Sequence, residues 1–341
     1  MRKIVVFLCL VVAFSCGTTQ KITHAGVQSD FTIAFGSCNK ASLPNTLWDD
    51  IQKTNPDVWI WGGDNIYADT HDISKLRLMY QAQKAVKDYA ELVDAVAVIG
   101  TWDDHDYGLN DGGTEFAAKK ESQQEFLDFM DVPNDSPRRQ QEGVYASHEY
   151  QKEAGSVKVI VLDTRYFRTA LTPDTETKKR TKPNKYGEGT VLGEAQWSWL
   201  EQELLSSKAD FNVIVSSIQV LSNEHGFECW GNFPHEVDRL KRTIVSSKAK
   251  GVLVLSGDRH ISEISSTKVE GLSYPLVDFT SSGLTHAYKS FTGEPNPFRV
   301  SDVVFTESFG TVHFDFKRKT AVFQMLGDTG ELLGEMRQTY E

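Results

Sequence analysis

Short runs of consecutive apolar, β-branched and aromatic residues recur along the chain, at 31–35, 58–61, 95–101, 157–162, 212–216 and 252–255. Runs of this length without polar alternation read as strands covered on both faces. Between most of them lie segments with helical spacing or helix-favouring composition, at 45–54, 74–93, 114–130, 193–207 and 234–247. The helix from Gly193 puts Trp197, Leu200 and Leu204 on one face. Strands alternating with helices predict an α/β architecture around a buried sheet. After residue 268 the pattern changes to extended segments at 274–280, 310–316 and 320–325, expected to complete a second sheet. Residues 169–190 hold few apolar positions and read as a long loop.

Composition narrows the class. Apolar residues make up 40% and charged residues 24% of the 341, which suits a globular enzyme and excludes a disordered, collagenous or coiled-coil chain. A net charge of −11 argues against a nucleic-acid partner, which needs a basic face. The one basic run, Lys178, Lys179, Arg180, Lys182 and Lys185, lies in the long loop. It reads as a solvated surface, with a substrate-steering rim as the alternative.

The N-terminus reads as a leader. Arg2 and Lys3 precede an apolar run over 4–13 that is too short for a permanent membrane span. The following Ala-Phe-Ser-Cys resembles a bacterial lipobox. A lipoprotein signal peptide over 1–15, a lipidated Cys16, a polar tether over 16–30 and a single domain over 31–341 are expected. This implies a monomer in the bacterial cell envelope, periplasmic or at the surface, that meets the membrane by its lipid anchor only. In that oxidising setting, Cys38 and Cys229 are left either to form a disulfide or to separate, with Cys38 as a metal ligand.

Candidate chemistry follows the strand runs. They lead into Gly36-Ser37-Cys38, Gly63-Asp64-Asn65-Ile66-Tyr67, Trp102-Asp103-Asp104-His105-Asp106, Asp163-Thr164-Arg165 and Gly257-Asp258-Arg259-His260. Ligands of α/β sheets bind at the carboxyl ends of the strands, so five runs deliver these groups to one crevice. So many carboxylates need a cation between them. Cys38, Asp64, Tyr67 and His260 offer thiolate, carboxylate, phenolate and imidazole, a set that suits Fe³⁺ better than Zn²⁺ or Mg²⁺. Asp104 and Asp258, with Asp64 bridging, form an all-oxygen set for Ca²⁺, Mg²⁺ or Mn²⁺. Two metals sharing a carboxylate form the clamp used in phosphoester hydrolysis.

The ordered motifs FGSC, GDNIY, WDDHD, LDTRYFR, SSIQ, GFECWGNFPHEVDRL and SGDRH resemble the alkaline phosphatase D (PhoD-like) family, of the calcineurin-like metallophosphoesterase superfamily, from about Phe35 to about Gly283. The resemblance implies a four-layer α/β/β/α sandwich, an iron–calcium site and phosphomonoesterase or phosphodiesterase activity on a small phosphoester. Position by position, it assigns Cys38, Asp64, Tyr67 and His260 to iron, and Asp64, Asp104 and Asp258 to the second metal. His105 is expected to contact phosphoryl oxygens, as is Arg165, for which pairing with Asp163 is the alternative. A metal-bound hydroxide is the expected nucleophile. His286 and Gln219 are weaker candidates, and Trp230, Phe233 and Arg239 read as packing. His24, His71, His148, His225, His235 and His313 read as surface. The alternative from another class is a non-catalytic calcium- or ligand-binding lipoprotein that keeps the fold. Larger members carry an additional β-sandwich domain ahead of the catalytic one, which leaves substrate size open.

Overall fold

The computed structural model describes residues 27–341. The expected signal peptide, Cys16 and most of the tether lie outside the described residues. In one six-stranded sheet, β1 (Phe31–Gly36), β2 (Val58–Gly62) and β3 (Ala97–Thr101) are parallel. On the other side of β1 the C-terminal strands β12 (Phe309–Asp315), β13 (Thr320–Leu326) and β14 (Leu332–Thr339) add on antiparallel, giving the order β14-β13-β12-β1-β2-β3. The other sheet runs β10-β11-β9-β8-β5-β4. Its inner strands β5 (Ser156–Val161), β8 (Phe211–Val215), β9 (Val252–Ser256) and β11 (Leu276–Thr280) are parallel. Its edges β4 (Ala146–Gln151) and β10 (Glu263–Thr267) are antiparallel.

Strand alternation sends each residue to one of two cores. Ile33, Phe35, Val58 and Ile60 meet Val159, Val213, Leu253 and Leu255 between the sheets. Trp59 and Trp61 point the other way, against Trp48 of α1 (Trp48–Lys53), Tyr80 of α2 (Ile73–Lys84), Tyr89 of α3 (Lys87–Ala95) and Phe129 of α5 (Lys119–Phe129). On the far side, Ile160, Ile214 and Val254 meet Trp197, Leu200 and Leu204 of α6 (Gly193–Ser206) and Leu240 and Ile244 of α7 (Pro234–Ser247). Three cores between four layers make the expected α/β/β/α sandwich. Continuous apolar strands are what two-sided burial requires.

The structure revises several details. The late extended segments do not share one sheet: Leu276–Thr280 pairs with β9, whereas the last strands join β1. The helix expected over 74–93 is two, because Val86 is extended (φ −65°, ψ 117°). His225 and His313 are buried rather than at the surface. No helix of the described residues is long and apolar enough to cross a membrane.

Candidate metal centre

The carboxyl ends of β1, β2, β3, β5 and β9 meet where the two sheets' loops touch. The approach is close: a Cβ on Gly257 would come within 2.6 Å of Ser37 Oγ and 2.7 Å of Gly62 O. One on Gly63 (φ 99°) would lie 2.7 Å from Asp103 Cβ and 2.9 Å from Ser217 Cβ. Four side chains at this junction stand on left-handed backbone: Cys38 (φ 60°), Asp64 (φ 51°), Asp258 (φ 71°) and His260 (φ 55°). Such a conformation costs an L residue about 1–2 kcal/mol. Its concentration in one crevice is the kind of strain that marks functional sites.

Three overlapping donor groups result: Cys38, Asp64 and His260; Asp64, Asp104 and His105; and Asp64, Asp103, Asp104 and Asp258. Within each group the ligand atoms lie within 4.8 Å of one another. Asp64 belongs to all three. Its Oδ2 lies 3.4 Å from Cys38 Sγ and 3.3 Å from the Tyr67 hydroxyl, and its Oδ1 accepts the His105 N–H at 3.2 Å. The Tyr67 hydroxyl also lies 3.2 Å from His260 Nε2. His260 Nδ1 donates to the His286 carbonyl at 2.8 Å, since a carbonyl only accepts. That leaves Nε2 facing the cluster, the usual orientation of a metal-ligating imidazole. Ser282 braces the same half: its hydroxyl donates to Cys38 Sγ at 3.1 Å and accepts the His260 N–H at 2.7 Å.

The other half is held by charge. Arg165 is fully buried; its Nε bonds Asp103 Oδ1 and its Nη1 bonds Glu228, both at 2.6 Å. Ser217 also donates to Asp103 Oδ1 at 2.6 Å. Asp104 Oδ2 accepts the Asp111 N–H at 2.7 Å; Asp104 begins the short helix α4 (Asp104–Tyr107). Asp103 Oδ2 and Asp104 Oδ1 are buried with no hydrogen-bond partner among the described residues.

Titration behaviour exposes the charge conflict. Burial, then the neighbouring Cys38, Asp104 and Asp103, push the Asp64 carboxyl well above its ordinary range. Burial also lifts Asp258 to about 7, against the opposing pull of Arg259. Burial and then Asp64 raise the Tyr67 phenol well above its ordinary value. Burial would raise Cys38 too, but the His260 charge and hydrogen bonds from His260, Ser282 and Tyr67 bring it down to about 6. These acids cannot all ionise together without a cation, and two of the orphaned oxygens belong to the cluster. The donor set therefore fits metal ions.

His105 stands at the mouth of the crevice, with Nδ1 on the Asp69 carboxylate at 2.8 Å and its ring 4.2 Å from that of Tyr67. Arg165 lies wholly buried behind the carboxylates, with its Nη2 lacking a hydrogen-bond partner among the described residues. Its Nε and Nη1 are taken up by Asp103 and Glu228. Asp163 does meet Arg165, through the backbone N–H at 2.8 Å. Cys38 and Cys229 are both free, so no bridge joins them. Gln219 bonds Glu263 and Thr280 in the second sheet, away from the donor groups. Arg239 stacks on Trp197 at 4.6 Å, and Trp230 and Phe233 are buried. Sequence reasoning missed Asp103, Asp69 and Ser282. Asp103 and Asp69 stand within two residues of identified candidates, but Ser282 is joined to Cys38 only by the fold.

A family model described as PhoD-like phosphatase matches residues 33–295. Alkaline phosphatase D of Bacillus subtilis (strain 168) is 29% identical over 140 residues, 36% of this chain and 24% of that protein. The match thus spans about a quarter of the curated relative's length. Among solved structures, PhoD superposes with a TM-score of 0.70 at 19% identity, covering 92% of this chain and 69% of that one. A dimetal phosphatase from Danio rerio gives 0.58 at 13% identity, over 92% of this chain and 100% of its own. GAP50 of Plasmodium, described as an anchor in the inner membrane complex, gives 0.60 at 11% identity, over 92% and 90%. At these identities the structural likenesses speak for the fold alone.

Proposed function

The chain belongs to the PhoD-like phosphatase family, and from that premise we propose that it is a two-metal phosphoester hydrolase acting on small phosphomonoesters or phosphodiesters. The observation that carries this reading is the meeting on Asp64 of a thiol–phenol–imidazole set and a carboxylate set in one crevice. Cys38, Asp64, Tyr67 and His260 would hold Fe³⁺; Asp64, Asp104 and Asp258, with Asp103 beside them, would hold Ca²⁺, Mg²⁺ or Mn²⁺. When bound, such a pair makes a water acidic enough to serve as hydroxide nucleophile and stabilises negative charge on the phosphoryl group.

The chain's own groups do the rest. His105, fixed by Asp69, presents its free Nε2 to a phosphoryl oxygen at the crevice mouth. Arg165 is a positioning residue: it holds Asp103 from below and offsets the charge of the acidic half. Ser282 and the His286 carbonyl orient Cys38 and His260. The test is hydrolysis of a chromogenic phosphate monoester and diester with and without a chelator. Chelator-sensitive turnover, restored by added Ca²⁺, is expected. Binding of Ca²⁺ with no turnover of either ester would favour the non-catalytic alternative.

The same reading places the catalytic domain at 31–341 behind the leader over 1–15 and a tether anchored through Cys16 in the cell envelope. The sequence pattern supports this. Cys16→Ala should move the protein out of the membrane fraction; retention there would remove the lipid anchor from the account.

A further inference from the structure

Beside His260 opens a cavity of about 470 Å³ lined by Phe227, Arg259, His260, His286, Ala287 and Tyr288. Its size falls in the range of small-molecule sites. Apart from His260, and the His286 carbonyl that orients it, none of these residues has a part in holding the metals. The walls are flat. The Arg259 guanidinium lies 4.0 Å from the centroid of the Phe227 ring, and Glu294 fixes it with two contacts of 2.9 Å. The His286 ring stands 4.6 Å from that of His260. Tyr288 donates its backbone N–H to the His260 carbonyl at 2.7 Å, yet its side chain is 37% exposed. From Tyr288 the aromatic surface continues through Phe291, 6.1 Å away, to Phe305, 6.0 Å further on and 41% exposed. Large aromatic side chains left open to water beside a reaction centre mark a contact surface.

Two observations tie this wall to the reacting group. Arg259 and Tyr288 are bonded, through the chain and by a hydrogen bond, to His260, so their planes are fixed relative to the metal centre. Phe227 is reached from the other side by the basic loop: Arg180 and Thr181 donate their N–H groups to Gly226 O, both at 3.0 Å. Guanidinium and aromatic planes are the surfaces on which flat rings stack.

We propose that this cavity is a subsite for a flat aromatic substituent on the phosphoester, an aryl group or a nucleobase, carried on the ester arm that points away from the metals. The proposal rests on the phosphoesterase reading above. It makes Phe227 and Tyr288 specificity-determining residues.

The experiment compares inhibitors of 4-nitrophenyl phosphate or methyl 4-nitrophenyl phosphate hydrolysis, using whichever ester is turned over. Benzylphosphonate is set against methylphosphonate, and thymidine 5′-monophosphate against deoxyribose 5-phosphate. Each pair differs chiefly by the ring. In the wild type the ring-bearing member of at least one pair should inhibit on the order of tenfold more tightly, the effect of one ring stack. That advantage should shrink in Phe227→Ala and in Tyr288→Ala, and survive in Phe227→Trp. An advantage confined to benzylphosphonate assigns the ring as aryl, and one confined to the nucleotide assigns it as a nucleobase. Equal inhibition within both pairs, or an advantage untouched by both alanine variants, overturns the subsite while leaving the hydrolase reading intact. Absence of turnover of either ester overturns the hydrolase reading itself.

Discussion

The two halves of the crevice share Asp64 but are built by opposite means. Around Cys38, Tyr67 and His260 the support is neutral: the Ser282 hydroxyl, the His286 carbonyl and the edge-to-face contact of the Tyr67 and His286 rings. Around Asp103, Asp104 and Asp258 it is ionic, centred on Arg165, which is sealed between Asp103 and Glu228. A set of thiol, phenol and imidazole can rest neutral or as an internal thiolate–imidazolium pair. A set of buried carboxylates can rest neutral only by holding protons, and needs a cation beside it before its members can ionise together. The difference teaches that the two sites should lose metal by different routes, the first through orientation and the second through charge.

Removing the shared residue should collapse the distinction. Asp64→Ala is expected to lower kcat by at least roughly 10²–10³-fold, more than the loss of one stabilising donor, and to empty both sites by metal analysis. Retention of either metal at wild-type level would show that the halves do not meet on Asp64. Next in size is Arg165→Met, which keeps the side chain's bulk but leaves Asp103 buried without its cation and Glu228 with Arg168 alone. About 3–5 kcal/mol of stability should disappear in chemical denaturation, the cost of breaking a buried pair. A change below about 1 kcal/mol, the range of surface pairs, would remove Arg165 from the account.

These two positions also show what the sequence makes legible. The inner strands were readable because burial on both faces leaves unbroken apolar runs, as at Val58–Gly62 and Val252–Ser256. Strands β4, β10 and β14 went unread, because each is an edge strand whose polar residues break the apolar run, as in ASHEYQ and EISST. Chemistry at strand ends was readable because each candidate follows its strand within a few residues. The environment of Arg165 was not. Asp103 and Glu228 lie 62 and 63 positions from it, and no local pattern says that they enclose it. For the same reason Ser282, 244 positions from Cys38, left no mark in the motif that carries the cysteine.

Ser282→Ala sharpens the contrast, since it loosens the neutral half alone. Affinity for the first metal should fall about 10–100-fold, the usual effect of an outer-sphere partner, while the second metal is retained in the same titration. Equal loss from both sites would mean that the halves are one unit. The smallest effect is expected at the mouth of the crevice. Asp69→Asn deprives His105 of its carboxylate and should lower kcat about tenfold with little change in metal content. An unaltered kcat would place His105 outside the reaction.

The central claim is that one crevice holds two unlike metal ions, and it is tested most directly by metal analysis of the active protein purified from its native compartment. The account predicts one iron and one Ca²⁺, Mg²⁺ or Mn²⁺ per chain. A fully active protein holding a single zinc, or no metal, would contradict it.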